Sequence, residues 1–247
     1  MPNMLITGGA RGIGRATAIL AAERGWSVAI NYASDAKAAH DTQAAVEALG
    51  QRGLALQGDV ADEHQVVAMF DRACRALGRL DAVVINAGIV APAMRLAEMD
   101  GERIRRMFAV NTIGAVFAAR EAMRRMGHAN GGSGSAIVFV SSKASQLGSP
   151  FEYVDYAASK GAIDTLTIGL AKEAAAEGIR VNAVRPGLID TALHIGSGRP
   201  DRAHELGSQT PLGRPGTVDE VAAAIMWLLG PEASYTTGAL LDVAGGR

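Results

Sequence analysis

Cysteine is almost missing from this sequence. Cys74 stands alone, which excludes an internal disulfide framework and suits a reducing compartment. Surplus charge is missing as well, since 24 Lys and Arg against 25 Asp and Glu leave a net charge of −1. That balance removes the electrostatic case for a nucleic-acid partner or an anionic membrane surface. No uninterrupted apolar run approaches the ~18 residues that suggest a membrane-spanning helix. The opening "MPNMLITGG" has no charged n-region and no cleavage site, so the expected location is the cytoplasm. No His/Cys/Asp/Glu cluster has metal-ligand spacing, so no metal is expected. There is no Gly-x-Ser-x-Gly elbow, which argues against a hydrolase of that type.

Glycine is plentiful, with 30 residues spread through the chain, well above the usual ~7%. They follow no collagen-like period and are read as turns and close backbone approaches. A chain of 247 residues can bury most of its unfolded surface without staples. Its first 90 residues alternate short apolar runs with helical periods. Strands are expected over 3–7, 27–32, 54–60 and 81–88, and helices over 14–25, 35–50 and 62–78. The pattern continues with a long helix over 102–127, a strand over 136–142, a second long helix over 154–178 and a strand over 179–187. "TVDE" (217–220) matches a capping box that opens a helix to Leu229, and "GALLDV" (238–243) supplies a last strand. Strands separated by helices indicate right-handed crossovers and a parallel sheet. The expected fold is α/β: one doubly wound, Rossmann-like domain over residues 1–247, with about seven strands and helices on both faces. Residues 188–216 have no clear period and are rich in Gly and Pro, as a substrate lid would be.

"TGGARGIG" (7–14) lies between the first strand and first helix. Gly8, Gly12 and Gly14 let the backbone turn and approach a pyrophosphate, and the helix-start amides near Arg11 and Ile13 face the anion. An enzyme preferring NAD usually carries an acid at the end of the second strand. Here that place holds Tyr32, followed by Ala33 and Ser34, and Asp35 is better placed to cap the next helix. With Arg11 able to meet a 2′-phosphate, NADP(H) is favoured over NAD(H), although Ala33 and Ser34 offer no second basic residue. "GDV" and "NAG" place Asp59, Val60, Asn86, Ala87 and Gly88 at carboxyl ends of parallel strands, where open α/β sheets bind ligands.

"EYVDYAASKGA" (152–162) holds the chemistry. Tyr156 and Lys160, four apart, share one helical face, whereas Tyr153 meets Ala157 at that spacing. A free phenol has a pKa near ~10, and a nearby ammonium is expected to lower it. A phenol so tuned exchanges a proton with a carbonyl or alcohol oxygen. "SS" (141–142) closes the preceding strand, and Asn111 interrupts the first long helix, where its helix propensity is poor.

Together these residues resemble the Asn–Ser–Tyr–Lys tetrad of the short-chain dehydrogenase/reductase family. The likeness extends from the glycine spacing at Thr7 to the last strand. It implies a carbonyl–alcohol oxidoreductase acting on a small molecule, with Tyr156 as acid/base, Ser142 holding the substrate oxygen, Lys160 on the ribose and Asn111 supporting a proton relay. It also implies adenine contacts at Asp59 and Val60, nicotinamide contacts at Pro186, Gly187, Ile189 and Thr191, and a homodimer or homotetramer built through the two long helices and the last strand. The serine-to-tyrosine interval is one residue longer than is usual in the family, so Ser141 stays open as an alternative to Ser142. Tyr153, Leu147, Glu152 and the region of His194 are candidates for the substrate pocket. An NAD-dependent sugar or polyol dehydrogenase, and a non-catalytic dinucleotide-binding regulatory protein, are the rival readings.

Overall fold

Strands with apolar residues on both faces need cover on both, and the chain supplies it. The computed structural model describes residues 1–131, 135–191, 196–199 and 201–247. Seven parallel strands form one sheet: β1 (Asn3–Thr7), β2 (Ser27–Tyr32), β3 (Gly53–Gln57), β4 (Ala82–Ile85), β5 (Ser135–Val140), β6 (Ile179–Pro186) and β7 (Leu240–Val243). Their order is β3-β2-β1-β4-β5-β6-β7, so the winding reverses between β1 and β4. Alternation along each strand divides the core. Met4, Ile6, Val28, Ile30 and Val84 pack under helices α1 (Gly12–Glu23), α2 (Ala36–Ala48) and α9 (Val218–Leu229). Leu5, Ala29, Val83, Ile137 and Phe139 face α3 (Glu63–Leu77), α5 (Gly114–Met126) and α7 (Val154–Ala174).

Helix starts follow the local chemistry expected of them. Asp35 caps α2 by accepting from the Ala38 amide at 3.0 Å, so its carboxylate is committed there. Thr217 and Glu220 form the reciprocal capping box of α9.

Three departures from the sequence reading shape the site. The helix expected over 102–127 is α4 (Gly101–Phe108), a π-helical turn (Ala109–Ile113) and α5. Asn111 lies in that wide turn, where it bonds another backbone segment instead of continuing a regular helix. The fourth strand ends at Ile85, because the Asn86 and Ala87 amides turn to the Thr7 hydroxyl. Two segments read as loop contain short helices: α6 (Ala144–Leu147) follows β5, and α8 (Arg202–Gly207) lies within 188–216.

Candidate active site

The reversal of strand order opens a cleft at the carboxyl ends of the strands, with a volume of ≈ 880 Å³. Its floor is the glycine loop. Gly8 and Gly12 have φ of +63° and +53°, a backbone that side chains rarely adopt. A Cβ on Gly12 would lie 2.7 Å from the Thr191 hydroxyl, and one on Gly14 would lie 2.7 Å from Asn86 Nδ2. The cradle is therefore shaped by missing side chains, as close backbone approach to a pyrophosphate requires. All residues predicted to touch a dinucleotide line the cleft except Gly14, which is buried and packs the loop against Asn86.

Two residues that hold this loop escaped the sequence reading. Asn31, buried in β2, accepts from the Gly8 amide at 3.2 Å and donates to the Gly58 carbonyl at 2.9 Å. Thr7 accepts from the Asn86 and Ala87 amides, and Asn86 Nδ2 donates back to the Gly8 carbonyl at 2.8 Å. The only signal was a polar residue inside an apolar strand run, which in a closed core must find partners. At the opposite rim Arg11 is exposed and pairs with Asp35 at 3.3 Å. Asp59 accepts from the Ala61 amide at 3.0 Å and pairs with Arg106 at 3.0 Å.

The four predicted catalytic residues come from three elements: the π turn, the end of β5 and α7. Tyr156, in the first turns of α7, lies beside the Ser142 side chain at the end of β5, and both line the cleft. Ser141 faces away: its hydroxyl bonds Asp164 at 2.6 Å and the Lys160 carbonyl. Between Ser142 and Tyr156 the backbone turns at Ser149 and Phe151, which adopt φ of +45° and +65°. Lys160 Nζ donates to the Val140 carbonyl at 2.8 Å and lies 5.8 Å from the centre of the Tyr156 ring. Asn111 does not line the cleft. Its Oδ1 accepts from the Ile89 amide at 2.8 Å, and its Nδ2 donates to the Ile89 carbonyl and to Ser159. It thereby clasps the "NAG" segment to α7, and a Cβ on Gly88 would sit 3.4 Å from both Asn111 Oδ1 and Lys160 Nζ. Tyr153, Leu147 and Glu152 line the cleft, and His194 lies outside the described residues. Among the described residues no group of three or more His, Cys, Asp or Glu is arranged to hold a metal ion, and no helix is long and apolar enough to cross a membrane.

Electrostatics correct one expectation. The Tyr156 phenol is pushed up, not down, because burial opposes the phenolate more than the Ser142 hydrogen bond favours it. Lys160 is itself lowered to about 8 by burial, with Asp164 pulling weakly the other way. This predicts a pH signature in stability. Between pH 8 and 10.5 the unfolded lysine keeps a proton that the folded one has released, so stability rises with pH through that window. Denaturant titrations of wild type and Lys160→Met should show the difference moving toward wild type by about 3 kcal/mol from neutral pH to the top of the window. A pH-independent difference would contradict a lysine lowered by burial.

With this geometry in view, the comparisons with known proteins agree on the class. The family described as enoyl-(acyl carrier protein) reductase matches residues 8–247. An uncharacterized oxidoreductase of Escherichia coli, YgfF, is 51% identical over 243 residues, 98% of each chain. Cis-4-hydroxycyclohexanecarboxylate dehydrogenase of Sinomonas cyclohexanicum is 41% identical, over 98% of this chain and 94% of its own. A Burkholderia cenocepacia short-chain dehydrogenase, solved in complex with NADP, superposes with a TM-score of 0.91 at 36% identity, covering 99% of this chain and 97% of that one. The fold and cleft are those of a Rossmann-type dinucleotide-binding oxidoreductase. More narrowly, the chain belongs to the short-chain dehydrogenase/reductase family.

Proposed function

We propose that the protein interconverts a carbonyl and an alcohol on a small molecule, with NADP(H), through Tyr156. The observation that carries this reading is the convergence of Tyr156, Ser142 and Lys160 on one cleft whose lining includes the glycine loop, with Lys160 Nζ 5.8 Å from the Tyr156 ring centre. The cradle fits a dinucleotide: Gly8, Gly12 and Ile13 would hold its phosphates, and Pro186, Gly187, Ile189 and Thr191 the far end. When bound, that group supplies hydride exchange at its nicotinamide ring. The protein's own residues handle the proton. Ser142 donates to the substrate oxygen and holds it against the phenol. Tyr156 gives that oxygen a proton in reduction and takes it back in oxidation. Lys160 orients the ribose and, when protonated, favours the phenolate. Asn111 fixes the segment that carries Gly88 and Ile89 beside Lys160. The proposed substrate lid spans 188–216, of which residues 192–195 and 200 lie outside the described residues. A panel of ketones and aldehydes with NADPH, followed by nicotinamide absorbance, tests the reading, and a protein that binds the cofactor but turns over no member would count against it.

Support for NADP over NAD comes from the cleft rim. Arg11 stands exposed there, Tyr32 and Ser34 carry no charge, and Asp35 is already committed to the α2 cap. A second reading keeps NAD, because the Asp35 carboxylate lies beside Arg11 and would repel a 2′-phosphate. Fluorescence titration should show NADPH binding about tenfold tighter than NADH, worth ~1.4 kcal/mol, with Arg11→Ala erasing the gap. Tighter NADH would establish the second reading.

We also propose a homodimer or homotetramer in the cytoplasm. Ile113, Val116 on α5 and Ile168 on α7 are exposed apolar residues on the two long helical segments. Light scattering on the purified protein decides this, and a clean monomer would refute it.

A further inference from the structure

Near the catalytic tyrosine in sequence, and in the same cleft, two donors have nothing to bond. The carboxylate of Glu152 holds two arginines from the 188–216 segment, Arg199 at 2.9 Å and Arg202 at 2.7 Å. Arg199 reaches outward to Glu205 at 2.6 Å. Arg202 lies over the Tyr153 ring, 5.2 Å from its centre. This arrangement leaves Arg202 Nη1 and the Tyr153 hydroxyl buried without a hydrogen-bond partner, while both residues line the cleft. Tyr153 is only 4% exposed.

Buried polar atoms in native proteins are nearly always paired, so two unpaired ones in one cavity wall point to a missing ligand. Arginine offers donors only, and the free phenolic proton is a donor as well. The ligand must therefore bring acceptors. A carboxylate brings two oxygens and a charge, and suits a guanidinium edge beside a hydroxyl better than a neutral group does. Arg199 and Arg202 are balanced by Glu152 and Glu205, so the unpaired Arg202 Nη1 donor, and not surplus charge, is what would receive it. The same cleft is also lined by Ile89, Val90 and Leu147, which suit a hydrocarbon body carrying the carboxylate. Tyr153 stands one helical turn before Tyr156, which puts the anchor a short distance from the reacting oxygen.

We propose that the substrate is a hydroxy or oxo carboxylic acid whose carboxylate is received by Arg202 and Tyr153. The proposal rests on the carbonyl–alcohol reading of the same cleft and names its substrate class. It needs no turnover to be tested. Cyclohexanecarboxylate, which has no carbonyl to reduce, and its neutral amide are titrated by calorimetry into the protein loaded with NADP. The carboxylate should bind at least tenfold tighter than the amide. Tyr153→Phe should weaken carboxylate binding about fivefold or more. It should leave thermal stability unchanged or raised, because it removes a hydroxyl that has no partner. Arg202→Met should abolish the preference for the carboxylate. Equal affinity for acid and amide, no binding of either, or a Tyr153→Phe variant with undiminished carboxylate binding would overturn the proposal. If Arg202→Met does not fold, the Tyr153→Phe result decides. Failure of this test leaves the carbonyl–alcohol reading intact, since that reading stands on Tyr156 and is judged by turnover.

Discussion

Tyr156→Phe is expected to lower kcat/KM for carbonyl reduction by about 10²–10⁴-fold while leaving NADPH affinity within about twofold, the range typical of removing a positioned general acid. The substitution deletes one oxygen and keeps the ring that Lys160 faces at 5.8 Å. The Ser142 hydroxyl accepts from the Ala144 amide at 3.1 Å, a bond the substitution leaves untouched, so the end of β5 stays in place. Because burial raises the phenol, Tyr156 is a proton donor over the whole neutral range, as reduction requires. Oxidation of an alcohol needs the phenolate, so its rate should climb with pH where reduction is flat. Steady-state rates in both directions over a pH series, wild type beside Tyr156→Phe, make the comparison. A variant with full rate would remove Tyr156 from the chemistry, whatever its neighbours.

Some parts of this site could be read from the sequence because they are local. The glycine loop, the i to i+4 pairing of Tyr156 with Lys160 and the capping box of α9 depend on spacings of a few residues. The alternation of apolar runs with helical periods was enough to expect about seven parallel strands in a doubly wound sheet, but not their order. What stayed hidden is fixed by distant partners. Asn31 looked like an interruption of β2 until it met Gly8 and Gly58, 23 and 27 residues away. Asn111 advertised a poor helix position, yet nothing in its neighbourhood indicated a π turn bonding Ile89. The choice between Ser141 and Ser142 depends on which hydroxyl faces α7 at Asp164 and which at Tyr156, a matter of strand orientation and not of count. The sign of the Tyr156 shift failed for the same reason. Proximity to an ammonium was visible, and burial was not.

The largest loss of stability from a single substitution near the site is expected at a pair that no motif marks. Asp155, adjacent to Tyr156, is 1% exposed at its side chain and takes both Nε and Nη2 of Arg103 from α4, at 2.8 and 3.2 Å. The third arm of the guanidinium donates to the Pro92 carbonyl at 2.6 Å. One arginine thus ties α4, the segment after β4 and the first turn of α7 together. Burying two charges is costly, and a well-made bidentate pair does little better than offset that cost. Removing one partner is different, because the survivor stays buried without compensation. Arg103→Met should therefore cost about 3–5 kcal/mol in denaturant unfolding. The double replacement Arg103→Met with Asp155→Leu should recover most of that loss, since no charge is left stranded. Activity should separate from stability in the same series. The double variant frees the start of α7 from α4, so Tyr156 is held less firmly, and kcat should stay depressed after stability has returned. If both recover together, Arg103 and Asp155 serve the fold alone. If the single variant costs less than about 1 kcal/mol, water reaches the pair and it is no buried bridge.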